Sequence, residues 1–359
     1  LPRSTRDELL EMLTDGDEPW RRLVGEALGQ LRGDEETAGL LVKMFQERPE
    51  SRFTRSAILN ALGSMQVKSI LPDLVGMIGE GYDDEEWIVG AIGRISDSAT
   101  RLELYEQLSK PLRPKTRSEI IRVLGQSKDP AVMGRVKGAL QESSKEQRVI
   151  LLDVLARSRD PSHSEAVRAV LDYATDPQVR KQAIRALGQF GDAESAARLV
   201  QLIDGGSRQD RTAALSAIRN VRRMETVNSL AEKWDDLGDQ ARIAVLGSGT
   251  NLSRPLGPIV EVAGEAIRST DRKLRTASAV VLGRSRDPKA IDSLVWLMRN
   301  AESGSERSVA ITGLLSIGTK EAAEEGLRAL DVVPNARQRE SYERQFNKVL
   351  DKFAGVPQR

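Results

Sequence analysis

The chain has 359 residues, no cysteine, a single histidine, and 54 Lys+Arg against 53 Asp+Glu, for a net charge of +1. That inventory excludes disulfides, thiolate metal sites and any metal site built on several imidazoles, and the charge balance gives no bulk drive toward nucleic acid or an anionic membrane. No run of 18 apolar residues exists, so membrane insertion is not expected.

The first element in the chain is a short helix over Ser4–Leu13, with Leu9, Leu10 and Leu13 on one side. It is expected to stand alone as an N-terminal cap within residues 1–18. From residue 19 the sequence becomes periodic. Arginines recur at Arg21, Arg55, Arg117, Arg148, Arg180, Arg211, Arg242, Arg275 and Arg307, with Glu85 in the one slot that lacks an arginine. Seven residues after each lies Leu28, Leu62, Ile92, Leu124, Leu155, Leu187, Ile218, Gly249, Leu282 or Leu314. Periods of this length mark stacked supersecondary units, each burying its apolar face only against its neighbours.

The clearest unit runs from Asp176 to Gly205. Asp176-Pro177 is a helix start, an acceptor at the N-cap followed by proline in the first turn. Ala183, Ile184, Ala186 and Leu187 then repeat with helical period. Gly188 and Gly191 are read as the stop, and Asp192 as the cap of a second helix carrying Ala196, Leu199, Leu202 and Ile203. The same helix–turn–helix frame fits the other units. Turn acids recur as Asp97, Asp129, Asp160, Asp192 and Asp287, and second helices share a slot held by Leu74, Leu104, Val136, Val167, Leu199, Leu230 and Leu294. Each arginine sits one turn inside a first helix. Pairing with acids of the inter-unit turns, such as Asp176, Asp210 or Asp271, is expected to stitch neighbouring units together.

Three irregularities break the frame and supply the candidate partner-binding residues. In the third unit Glu85 lies within Asp83-Asp84-Glu85-Glu86 beside Trp87, and the next inter-unit turn is basic, with Arg113 and Lys115. These charges either pair with one another or form a bipolar docking patch anchored by Trp87. In the eighth unit Gly247 and Gly249 should end the first helix early and open a flexible loop containing Asn251 and Arg254. In the ninth unit Trp296 lies off the apolar stripe of its helix, with Arg328 as its expected neighbour. His163, in the turn after Asp160-Pro161, is expected to be exposed. The chain closes with a helix over Asn335–Phe353, with Tyr342, Phe346, Val349, Leu350 and Phe353 on one face, read as a C-terminal cap and tail over residues 333–359.

The pattern Arg-x-x-Ala-x-x-Ala-Leu-Gly, a turn Asp and a Leu-rich helix, seen at Arg180–Gly188 and Arg275–Gly283, resembles HEAT repeats of the phycobilisome-lyase-like type. The resemblance covers residues 19–332, about ten units, and implies an all-α, right-handed α-solenoid whose second helices line a concave face. Such repeats serve scaffolds, adaptors and a few enzymes alike. HEAT-like deoxyhypusine hydroxylases bind iron through His-Glu pairs, which this sequence lacks. HEAT-like DNA glycosylases rely on a basic, tryptophan-bearing groove, whereas Trp20, Trp87, Trp234 and Trp296 fall at unlike repeat positions, Trp234 in a core slot.

The expected function is therefore a non-catalytic protein–protein interaction scaffold or structural subunit of a larger assembly, bacterial in setting, with one or more proteins as partners, no nucleic acid and no cofactor. The alternative is a HEAT-like enzyme, DNA glycosylase-like or bilin lyase-like, acting in the concave groove. Zero thiols and an opening at Leu1 rather than methionine tilt the expected location toward an exported, periplasmic setting over a cytoplasmic one.

Overall fold

In the computed structural model, residues 3–353 are described; the tail beyond Phe353 lies outside them. The chain divides into two compact units, residues 1–159 and 160–359. The first holds α1 (Arg3–Asp15), α2 (Glu18–Gly29), α3 (Glu35–Gln46), α4 (Arg52–Met65), α5 (Leu71–Gly76), α6 (Glu85–Ile95), α7 (Ser98–Gln107), α8 (Pro114–Gly125), α9 (Pro130–Gly138) and α10 (Lys145–Ser158). The second holds α11 (Ser164–Tyr173), α12 (Pro177–Phe190), α13 (Ala193–Gly205), α14 (Arg208–Arg219), α15 (Met224–Ala231), α16 (Asp239–Gly249), α17 (Pro258–Ala266), α18 (Arg272–Ser285), α19 (Ile291–Asn300), α20 (Gly304–Ile317), α21 (Lys320–Arg328) and α22 (Ala336–Leu350). No strand occurs among the described residues, and the architecture is an all-α solenoid of helical hairpins.

Even-numbered helices from α2 to α20 are the first helices of successive hairpins. They stack side by side, α2 on α4, α4 on α6, α6 on α8 and α8 on α10, then α12 on α14, α14 on α16, α16 on α18 and α18 on α20. The core is built from the repeating slots. Leu28, Leu62, Ile92, Leu124, Leu155, Leu187 and Ile218 are wholly buried, as are Leu74, Leu104, Val136, Val167, Leu199 and Leu294 on the second helices. All five turn acids act as caps, Asp97, Asp129, Asp160, Asp192 and Asp287 each accepting a backbone N–H from the helical turn that follows.

The cap at Asp97 has a pH signature. Its carboxylate accepts from Thr100 N at 3.1 Å, and this bond holds its pKa below the ordinary value against the opposing pull of burial. Because the folded value is the lower one, its contribution is complete above about pH 4 and disappears as pH falls through the folded pKa. Asp97→Ala should cost about 1 kcal/mol at neutral pH. In thermal melts the gap from wild type should narrow as pH falls through the folded pKa of Asp97 and its carboxylate loses its charge.

The arginines do stitch units, and of the three acids expected as partners Asp210 is one. Arg180 makes a forked pair with Asp210, its Nη2 at 2.9 Å, while its Nη1 donates to the carbonyls of Leu171 and Ala174. Arg55 pairs with Asp84, and Arg275 with Glu306 at 2.5 Å and Glu302 at 3.4 Å. The acid thus stands at or just before the start of the next first helix, about one period later. Arg148, Arg211, Arg242 and Arg307 turn instead to carbonyls ahead of their own helices, at Leu140, Ile203, Trp234 and Met298. Asp176 and Asp271 are occupied in capping α12 and α18.

Two readings of single residues are corrected here. Gly188 does not stop α12, which runs on to Phe190; Gly191, at φ 60°, is the terminator. A Cβ at Gly188 would lie 2.8 Å from both Cβ and O of Ala217, so this glycine marks where α14 comes closest. His163 is not exposed. It ends a 3-10 turn, Pro161–His163, that folds the ring inward to 5% exposure, 3.9 Å from the Asp160 carboxylate.

Candidate partner-binding surfaces

The acidic–basic cluster around the third unit is largely satisfied within the fold. Asp84 is taken by Arg55. Glu85 is 2% exposed and accepts hydrogen bonds from Gly79 N at 3.1 Å and Thr116 Oγ1 at 2.9 Å. A buried carboxylate held by two donors is a structural part, so Glu85 is withdrawn as a contact for a partner. Arg113 bonds to the Tyr82 carbonyl at 2.8 Å and lies 3.6 Å from Asp83, while Lys115 stands 3.9 Å from Glu86. Trp87, half-buried, carries the Arg52 guanidinium over its ring at 4.9 Å. Mutual pairing is what the structure shows for these charges; Arg113 and Lys115 stay exposed at their outer sides.

In the eighth unit α16 ends at Gly249 and a loop over residues 250–257 leads to α17. The expected flexible loop is tied on both sides. Asn251 Nδ2 donates to the Arg219 carbonyl at 2.6 Å, at the end of α14, and Arg254 Nε to the Ser285 carbonyl at 3.3 Å, at the end of α18. Leu252 is buried beneath them, whereas Leu256 is 50% exposed. Gly249 serves close packing, since a Cβ there would lie 2.9 Å from Ile259 Cγ1.

Trp296 on α19 is half-buried, and the cation over its ring is Arg268, at 5.9 Å. Arg328, expected as its neighbour, is bound to Glu325 on its own helix at 2.5 Å. An i, i+3 acid on the same surface outcompeted the aromatic ring on the adjacent one.

One groove was not singled out from sequence. About 670 Å³ of open space lies along α2 and α4, lined among others by Pro19, Leu23, Glu26, Phe53, Ala57 and Asn60. Leu23 and Phe53 are 48% and 50% exposed, and Trp20, on the same helix as Leu23 but outside the groove lining, is 55% exposed. Of the large apolar side chains exposed among the described residues, these three and Met12 all belong to α1, α2 and α4. The signal was present in register. One residue before the arginine slot, the later units hold Thr54, Asp84, Thr116, Gln147, Val179, Asp210, Ala241, Leu274 and Glu306, and the first unit alone holds a tryptophan.

With the geometry in hand, comparisons with known proteins agree on architecture. A family model described as HEAT repeats matches residues 132–219. Among solved structures, Kap95p, in a complex where its binding induces the switch loops of RanGDP to adopt the GTP-bound conformation, is 12% identical with a TM-score of 0.53, covering 98% of this chain and 57% of that one. Kap121p bound to RanGTP is 14% identical with a TM-score of 0.49, over 99% of this chain and 45% of that one. An engineered protein is 16% identical with a TM-score of 0.38, over 96% and 98%. The chain spans little more than half of Kap95p and under half of Kap121p. At these identities the likeness is one of fold. No curated protein matches the chain.

Proposed function

We propose that this chain is a non-catalytic protein-binding scaffold or structural subunit, whose principal docking surface is the apolar groove on α2 and α4. One observation carries the reading: Leu23 and Phe53 line one groove with about half of their surface exposed, and Trp20 on the same helix as Leu23 is 55% exposed. Among the described residues no first helix other than α2 and α4 exposes a large apolar side chain. Clustered aromatic and aliphatic surface of this kind marks interaction sites on soluble proteins. The form of the repeat fits the phycobilisome-lyase-like branch of HEAT arrays, taken here as a likeness of scaffold and not of chemistry. Kap95p, an array of the same fold type, binds Ran, which supports protein recognition as a use of this architecture.

Affinity capture from native extract tests the proposal, comparing wild type with a Leu23→Ser/Phe53→Ser double variant. Both side chains are half-exposed, so melting should change by no more than about 1 kcal/mol in stability. A discrete set of proteins retained by wild type and lost by the variant is the expected result. Retention of the same set by both, or of small molecules or nucleic acid alone, overturns it.

A further inference from the structure

Twelve residues after the arginine slot, most units keep a capping side chain. Asp97, Asp129, Asp160, Asp192 and Asp287 fill this register, and Thr319 fills it in the tenth unit. In the seventh and eighth units it holds Arg223 and Arg254 instead. Arg223 has the extended backbone of a capping residue, φ −86° and ψ 120° against −77° and 121° at Asp129. Its side chain caps nothing, and it sets a cation at the positive end of α15. In the ninth unit Arg286 ends α18 at φ 55°, where α12 and α20 use Gly191 and Gly318. Local physics disfavours an arginine at both places, through the helix dipole at Arg223 and the left-handed backbone at Arg286.

The fold gathers these residues at the finishing ends of α14, α16 and α18. Asn251 Nδ2 ties the start of the loop over residues 250–257 to the Arg219 carbonyl. Arg254 Nε ties its middle to the carbonyl of Ser285, between Arg284 and Arg286. Arg219 lies along α16, where a Cβ on Gly247 would meet its Cγ at 3.2 Å. Arg219, Arg222, Arg223, Arg254, Arg284 and Arg286 are all exposed, and among the described residues none of them is paired with a carboxylate. Elsewhere in residues 160–359, Arg168, Arg180, Arg198, Arg242 and Arg275 all are. Helix dipoles do not account for the cluster, since α12, α16 and α20 finish with no basic residue in the last turn. Leu256, 50% exposed, stands in the same loop two residues past Arg254.

We propose that this surface binds an acidic linear segment of a partner protein, its carboxylates on the arginines and one apolar side chain on Leu256. The planar guanidinium matches a carboxylate in a forked geometry, and unpaired arginines on a rigid scaffold present that geometry ready-made. Adjacent helices stand about 10 Å apart, so the three ends span about 20 Å, the reach of about six or seven extended residues. A nucleic-acid strand fits less well. The cations are confined to three units, and no aromatic side chain stands in residues 219–223, 250–257 or 284–289 to stack a base. The surface shares no residue with the groove on α2 and α4, so either can fail without the other.

The probe is a fluorescent peptide of about seven residues, alternating aspartate and glutamate around a central leucine, titrated with the full chain. Saturable binding that weakens as salt rises is expected, with none for the counterpart carrying asparagine and glutamine. Arg223→Asp and Arg286→Gly restore the residues that other units use. The double variant should therefore melt no lower than wild type, yet bind the peptide about tenfold or more weakly. Leu256→Ser should weaken this peptide and leave a leucine-free acidic peptide unaffected. No saturable binding, equal binding of the amide counterpart, or binding indifferent to the double variant overturns the proposal. So does a double variant that melts lower than wild type, which would make the arginines part of the fold. Tighter binding of an oligothymidylate of similar length would give the surface to nucleic acid. Capture through Leu23 and Phe53 reads the groove alone, so the scaffold reading survives if this peptide fails.

Discussion

Glu306→Ala should be among the most damaging single substitutions in residues 160–359. Glu306 is 1% exposed and Arg275 5%, and the two are joined at 2.5 Å across the α18–α20 junction. Arg275 donates further to the Ser269 and Thr270 carbonyls, so it cannot swing out to solvent when its acid is removed. Breaking a buried pair by deleting one partner costs about 3–5 kcal/mol. The one acid Arg275 would keep, Glu302 at 3.4 Å, is largely exposed and screened by solvent, which places the expected loss at the lower end. Since repeat arrays open locally, the readout is amide exchange: α18 and α20 should exchange about a hundredfold faster or more, with α12 and α13 little changed. Replacing both residues together, Arg275→Met with Glu306→Leu, should recover most of the loss. Equal exchange in Glu306→Ala and wild type would show that the pair contributes only register.

Ending the chain at Asn335 should do more than any point change, because it removes α22. That helix packs on α21, with Phe346 wholly buried against Gly326, where an added Cβ would sit 2.3 Å from its ring, and with Tyr342 Oη 3.0 Å from Ser308 Oγ. Losing a buried phenylalanine alone costs about 3–5 kcal/mol. The exposed surface would also be apolar, whereas the outer side of α22 carries Arg337, Arg339, Glu340, Glu343 and Arg344, all exposed. The truncated chain is expected to self-associate in light scattering at concentrations where the full chain does not. A truncated chain that stays monomeric with unchanged melting would remove the capping role from α22.

Much of this fold was legible because its core repeats. A slot filled by leucine or isoleucine in every unit but the eighth is buried throughout, and an aspartate before a proline caps a helix wherever it stands. What sequence concealed were choices among equivalent partners. Arg180 had Asp176 four residues away and Asp210 thirty away; the near acid was committed to N-caps, so the far one took the guanidinium. Gly188 reads as a breaker until the neighbouring helix is placed beside it. Glu85 looked like a surface acid because it stands in a run of acids, Asp83-Asp84-Glu85-Glu86, and only the fold supplies the donors from Gly79 and Thr116 that bury it. Trp20 was passed over because its exposure is a property of the folded unit, which a periodic pattern does not carry.

The distribution of cross-unit bonds in residues 160–359 has a mechanical meaning. Arg180–Asp210 and Arg275–Glu306 fasten α12 to α14 and α18 to α20 at the starting ends of those helices. Between them, Arg211 and Arg242 hold their own linkers, and the fastening shifts to the finishing ends, through Asn251 to α14 and Arg254 to α18. A stack clipped along one margin at two junctions and along the opposite margin between them resembles a leaf spring. Load applied to it would spread α14, α16 and α18 like a fan, pivoting on the Asn251 and Arg254 straps, before either arginine clamp gave way.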